Sequence, residues 1–248
     1  MLHPKKVGTL PPTGDDKAKR TNEITTAIPL LDAIHIKDKT VTADALLTQR
    51  GLAEYLVGPR QAHYHFTAKG NQPTLFDDLK VFFADRQEPD YVTIDPPDHG
   101  RIETRKIWTT TELNTYLNFP HVGQAFVIER QRFNKKTGKA SDPELAYGIT
   151  SCSPDHSDAQ KVLATNRGHW CIENSCHYII DWIYDEDRSQ IRTGFGPENI
   201  SRLRRFAVGL LKSRQIKNVT QKTRQLTLNV RLVFDYLRMT KNSCVQSV

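Results

Sequence analysis

A chain of 248 residues, 38% of them hydrophobic, can bury a core and is long enough for one large domain or two small ones. No run approaches the roughly 18 apolar residues of a membrane span. The start, Met1 to Leu10, is basic but lacks an apolar segment, so a membrane or secreted protein is not expected and a cytoplasmic one is. The net charge of +7 is placed unevenly: residues 197–248 hold eleven Lys/Arg against Glu198 and Asp235, which leaves residues 1–196 at −2. Such a block faces phosphate or simply solvent, and nucleic acid and a solvated helical face are its two readings. The cysteines, Cys152, Cys171, Cys176 and Cys244, form no CxxC pair, so reduced thiols are expected.

In chain order, residues 1–20 read as disordered, because Pro11-Pro-Thr-Gly-Asp-Asp-Lys17 offers turn formers and charge with nothing to bury. Ile24, Ile28, Leu31 and Ile34 then fall on one helical face, with a regular helix expected from about Ile28 and Pro29 in its first turn. Lys39 to Ala43 reads as a strand with Asp44 at its carboxyl end. There a functional carboxylate and a turn-capping one are both expected. Thr48 is placed to cap a helix carrying Leu52, Tyr55 and Leu56, which stops at Gly58-Pro59. His63 to Ala68 is a second strand, and Pro73 opens a helix with Leu75, Leu79, Phe82 and Phe83 on one side. Strand–helix–strand–helix at this spacing predicts a parallel α/β unit.

From Glu88 to Ser153 the period shortens. Ile102–Thr109, Gln124–Phe133 and Glu144–Thr150 read as antiparallel strands, with a turn at Asn134–Gly138. Asp155–Asn166 is helical in pattern. A helix opened by Pro197 is expected to bury Ile200, Leu203, Phe206, Ala207, Leu210 and Leu211, and a basic helix follows from Val219 to Leu237, with a possible break around Leu226.

Between these lies the stretch Arg167 to Arg188. Ile172, Cys176, Ile179, Ile180 and Ile183 form the apolar stripe of an amphipathic helix. At about 100° per residue the stripe centres roughly 80° from Glu173, which sets that carboxylate at a seam. A metal ligand and a border ion pair are its two readings. Zinc held by Cys171, Cys176, His169 and His177 is disfavoured, because Cys171 and Cys176 diverge by about 140° on a helix.

Six segments in order carry a resemblance: Thr21 to Leu31, Val41 to Ala45 with Thr48-Gln-Arg50, Lys69 to Leu75, His99 to Arg105, His169-Trp-x-Ile-Glu-Asn174, and Gly196-Pro-Glu-Asn199 with Leu203-Arg-Arg205. Together they resemble DDE transposases of the bacterial H-repeat-associated insertion sequences. The resemblance implies an α/β, ribonuclease-H-like domain with a β-rich insertion and a basic helical C-terminus, incomplete at its N-terminal strands. Its expected divisions are a disordered 1–20, a partial core 21–87, an antiparallel insertion 88–153, helices completing the core 154–212, and a basic tail 213–248.

It also implies Asp44 and Glu173 as catalytic, metal-binding acids, with Mg2+ or Mn2+ as cofactor in the two-metal scheme of phosphoryl transfer. Arg167 and Trp170 would lie against DNA, as would Arg202, Arg204, Arg205, Lys212 and Arg214. The implied partners are double-stranded DNA at the transposon ends and a further copy of the chain or an intact transposase. The family's first Asp belongs to an Asp-Gly-Lys segment that this sequence lacks, so a truncated and catalytically silent copy is expected. The alternatives are a silent DNA-binding protein or inhibitor, a zinc enzyme using His169, Glu173 and His177, and complementation by a separate chain.

Overall fold

The computed structural model describes residues 16–97, 100–172, 176–216 and 218–240, with side chains from Glu23 onward. Two compact units divide it, residues 1–167 and 168–248.

In the first unit, helix α1 spans Asp16–Asp32, earlier than the expected start near Ile28, and carries Pro29 in its last turn. Residues 1–15 of the stretch expected to be disordered lie outside the described residues, while Asp16 to Arg20 are helical. Ile28 and Leu31 pack on the core, but Ile34 is exposed, so the apolar stripe is only half used. Strand β1 (Thr40–Ala43) leads through a 3-10 turn at Ala45–Leu47 to helix α2 (Arg50–Val57) and strand β2 (His63–Ala68). Strands β1 and β2 pair in parallel, Thr40 opposite His63 and Ala43 opposite Phe66, as the strand–helix–strand spacing predicts. Helix α3 (Pro73–Phe82) starts on Pro73, where a missing N–H costs no helical hydrogen bond.

The remaining strands, β3 (Tyr91–Ile94), β4 (Arg101–Thr110), β5 (Gln124–Asn134), β6 (Lys139–Ala140) and β7 (Glu144–Thr150), are antiparallel to their neighbours. They continue the same sheet, in the order β1-β2-β7-β5-β4-β3 with β6 on β5. Gly138 closes the expected turn with a positive φ of 67°, which a residue without Cβ adopts freely.

Side chains alternate across a strand, and here both faces are covered. Tyr64, Phe66, Ala125, Val127, Trp108 and Ile149 join Leu56 of α2 and Leu79 of α3 in the larger core. Ile107, Phe126 and Ile128 meet Val162 and Leu163 of helix α4 (Ala159–Ile172) in a second core. His65, also buried, stacks on Phe126 and contacts the Asn166 amide at 3.3 Å. Gly148 lies opposite Phe126, and a Cβ there would collide with the Phe126 ring and the Phe66 carbonyl.

In the second unit, a π-helical turn at Ile179–Ile183 buries Ile179 and Ile180 against Val208 and Leu211 of helix α5 (Gly196–Ser213) and Val219 of helix α6 (Val219–Leu228). Helix α7 (Val230–Tyr236) follows. The wide turn shifts helical register. Cys176, Ile179, Ile180 and Ile183 share one core, as the stripe predicts, whereas Ile172 is exposed. Leu203 and Phe206 are likewise exposed, because α5 packs through Ala207, Val208 and Leu211 instead. The last basic segment breaks at Asn229, which has non-helical φ −139° and ψ 88°, rather than at Leu226. Among the described residues no helix is long and apolar enough to cross a membrane.

Candidate functional site

Asp44 follows β1 directly and is exposed. Its backbone is extended (φ −72°, ψ 176°), and its Oδ1 accepts the Leu47 N–H at 3.4 Å, capping the 3-10 turn. The turn-capping role is therefore present. The contact is long, and it leaves the carboxylate open as a hard oxygen donor of the kind magnesium or manganese takes. Among the described residues no group of three or more ligating side chains includes Asp44.

The loop that carries Asp44 is held from several sides. The buried Thr48 hydroxyl is 2.8 Å from the Thr67 carbonyl and 3.3 Å from the Asp44 carbonyl. Gln49, not Thr48, stands at the N-cap of α2, so Thr48 clamps the loop instead of capping the helix. The Asn71 amide donates to the Ala45 carbonyl, and the Gln72 amide donates to the Thr48 carbonyl at 2.9 Å. Thr67 of β2 and two residues beyond it, Asn71 and Gln72, thereby fix the carboxyl end of β1. The run Lys69-Gly-Asn-Gln72 signals a turn in the sequence; its amide side chains acquire this role only once β1 and β2 are parallel neighbours.

Arg167 lies near the end of α4 and is bidentate to Asp95, with Nη1–Oδ1 at 3.0 Å and Nη2–Oδ2 at 3.1 Å. Asp95 also receives Arg105. Burial alone would raise the Asp95 pKa, but the hydrogen bonds and charges of Arg105 and Arg167 hold it below the ordinary carboxylate range. Asp95 was not among the residues singled out from the sequence. Its signal is an acid at the end of a strand, stopped by Pro96-Pro97.

The charges of β4 are engaged in ion pairs, both within the strand and across to β5. Glu103 is approached by Arg105, Arg130 and Arg132, Glu144 by Arg130 and Arg132, and Glu129 by Arg86 at 2.8 Å and Lys106 at 3.1 Å.

Glu173 lies outside the described residues. In the second unit Trp170 is half exposed. On α5, Arg202 pairs with Glu198 one turn earlier, and Arg204 reaches the Asp185 carbonyl at 3.5 Å. Arg205, Lys212 and Arg214 are exposed. The guanidinium of Arg188 lies 5.1 Å above the exposed Trp182 ring.

Residues 10–207 match the family model described as "Transposase DDE domain". A protein of Escherichia coli O157:H7 named "Putative transposase YncI" is 29% identical over 220 residues, covering 85% of this chain and 55% of that protein. The "H repeat-associated putative transposase YhhI" of Escherichia coli K12 is 28% identical over 80% of this chain and 54% of its own length. An uncharacterised protein from the dhlA 3′ region of Xanthobacter autotrophicus is 34% identical over 55% of this chain and 47% of its own. The chain spans about half the length of the curated relatives it matches.

Proposed function

Because the chain belongs to the transposase DDE-domain family, we propose that Asp44 and Glu173 are two of the acids of a site for metal-dependent cleavage and transfer of DNA strands. The single observation that carries this reading is the placement of Asp44. It stands exposed at the carboxyl end of a parallel strand, on a loop clamped by Thr48, Asn71 and Gln72. Ligand sites of open α/β sheets lie at such strand ends. The parallel β1–β2 pair and the helices on both faces of the sheet support a ribonuclease-H-like core. A magnesium or manganese ion held there would supply the charge that activates a hydroxyl and steadies the leaving oxygen on phosphate. The chain's own part is to hold the carboxylates still and to bring DNA to them through Arg167 and the basic face of α5.

The sequence contains no Asp-Gly-Lys run, so strand cleavage by this chain on its own is not expected. A second reading, favoured by the exposed Arg205, Lys212 and Arg214, is a catalytically silent DNA-binding protein or an inhibitor of an intact transposase.

The deciding experiment measures manganese binding, DNA binding and nicking of labelled duplex by the purified chain and its Asp44→Asn and Glu173→Gln variants. Manganese binding lost in both variants supports the two-acid site. Manganese binding indifferent to both removes it. DNA binding that survives while no manganese is taken up leaves the silent binder. Nicking by the parent that Glu173→Gln abolishes would show that the chain is active by itself.

A further inference from the structure

The end of the sheet away from Asp44 carries a different set of ligands. Asp44 follows the carboxyl end of β1, whereas His63 opens β2 opposite Thr40, the first residue of β1. Strand β7 runs antiparallel, so the residues after Thr150 return to this same end. There the ligand atoms of His63, Cys152 and His156 all lie within 4.8 Å of one another.

We infer that His63, Cys152 and His156 form a binding site for one divalent transition-metal ion of the zinc class, separate from the carboxylate end of the sheet. The donor set decides the class. A thiolate and two imidazoles suit zinc and suit magnesium poorly. Around one tetrahedral zinc, such donors stand roughly 3.3–3.6 Å apart, from bond lengths of about 2.0–2.3 Å. The three atoms must therefore close by about an ångström. Cys152 is buried, His63 is half-buried and His156 is exposed, so His156 is the side chain free to swing in.

The frame around the three ligands is already built. The buried Gln124 amide donates to the carbonyls of Cys152 at 3.0 Å and Ser157 at 2.8 Å, which pins both ends of the loop. The loop turns on Ser153, whose carbonyl accepts the His156 N–H at 3.1 Å and the Ser157 N–H at 2.9 Å. This brings His156 back over Cys152, four residues earlier. Gly123 lets the loop approach closely, since a Cβ there would meet the carbonyls of Ser151 and Cys152 at 2.7 Å.

One ring nitrogen of His63, Nδ1, is 3.2 Å from the Ser151 hydroxyl, which also accepts the Tyr64 N–H at 3.0 Å. Outer contacts of this kind orient a ligating imidazole and leave its other nitrogen to the metal. The Thr40 hydroxyl lies 3.9 Å from the Cys152 sulfur. The two imidazole rings face each other with centroids 4.8 Å apart. Bound there, the ion ties the loop after β7 to the opening of β2.

The test uses the full chain with Cys171, Cys176 and Cys244 replaced by serine, stripped of metal and titrated with Co2+. One equivalent should bind with a thiolate-to-cobalt charge-transfer band, and Zn2+ should displace it. Cys152→Ser should abolish the band. His156→Ala alters an exposed side chain, leaves the fold intact by circular dichroism, and should weaken cobalt binding by more than the 10–100-fold typical of losing an outer contact. His156→Ala alone decides the matter if Cys152→Ser does not fold. Absence of the band in the stripped parent, its persistence in Cys152→Ser, or unchanged affinity in His156→Ala overturns the assignment.

Discussion

Arg167 grips Asp95 with two parallel hydrogen bonds, and Asp95 is shared with Arg105. The two arginines are not equivalent. Arg105 is mostly buried, with its side chain 14% exposed, while that of Arg167 is 44% exposed. Asp95→Ala leaves Arg105 buried without one of its two carboxylate partners and is expected to cost about 1–3 kcal/mol in urea unfolding. Arg167→Ala breaks a partly exposed pair and should cost less than about 1 kcal/mol. If Arg167 serves DNA, its loss must weaken DNA binding well beyond that stability change. Equal small effects on both would assign Arg167 to the fold alone.

The same carboxylate sets an acid limit. At Glu129, as at Asp95, burial alone would raise the pKa, but Arg86 and Lys106 outweigh it and hold the group below its usual range. A depressed folded-state pKa adds stability that is complete above the unfolded values of about 3.9 for Asp and 4.3 for Glu. That stability disappears as pH falls through the folded values. The contribution of these two carboxylates to the urea midpoint should therefore hold from neutral pH down to about pH 5 and then be lost. The double variant Asp95→Asn with Glu129→Gln should be less stable at neutral pH and show a shallower fall below that point. A parallel acid profile would mean that other groups control it.

Thr48→Val keeps shape and removes one hydroxyl. The Thr67 and Asp44 carbonyls then lose their shared donor, at an expected cost of about 1–2 kcal/mol. If Asp44 holds a divalent ion, the loosened loop should also weaken manganese binding, with circular dichroism unchanged. Stability loss without any change in manganese binding would separate the clamp from the site.

DNA binding, if it runs through α5, should fall steeply with salt, because each neutralised phosphate releases counterions. Removing Arg205, Lys212 and Arg214 together should lower the slope of log K against log salt by about 0.9 per lost contact on duplex DNA. The measurement is fluorescence anisotropy across a salt series. An unchanged slope would move the interface elsewhere.

Much of the first unit was legible in the residues. The alternation in Ile102–Thr109 and Gln124–Phe133 marks β4 and β5, and Asn134 to Gly138 marks the turn between β5 and β6. The spacing of His63 from Thr40 announces a parallel pair. Placing Asp44 at a strand end needed only local pattern. What holds its loop did not follow, because Thr67, Asn71 and Gln72 reach Ala45 and Thr48 only after the crossover. The same holds for Arg167, whose partner Asp95 lies 72 positions earlier in the chain.

In the second unit, the regular 3.6-residue period assumed through Ile183 is interrupted by a π turn that no propensity marks. Leu203 and Phe206 show a second limit. Periodicity identifies an apolar face, but how much of that face is covered depends on which neighbours arrive.

Between Ala125 and Ile128, strand β5 is apolar on both sides, so polarity within that stretch says little about its alignment. A slip by one residue would still bury every side chain from Ala125 to Ile128, only in the opposite core. Size supplies the discrimination that polarity lacks. Phe126 and Ile128 are large where Ala125 and Val127 are small, and the Phe126 ring fits only across from the bare backbone of Gly148. That pair acts as a key and its keyhole. The buried stretch of the strand can pair through apolar faces alone and still reject a misaligned version of itself by steric fit.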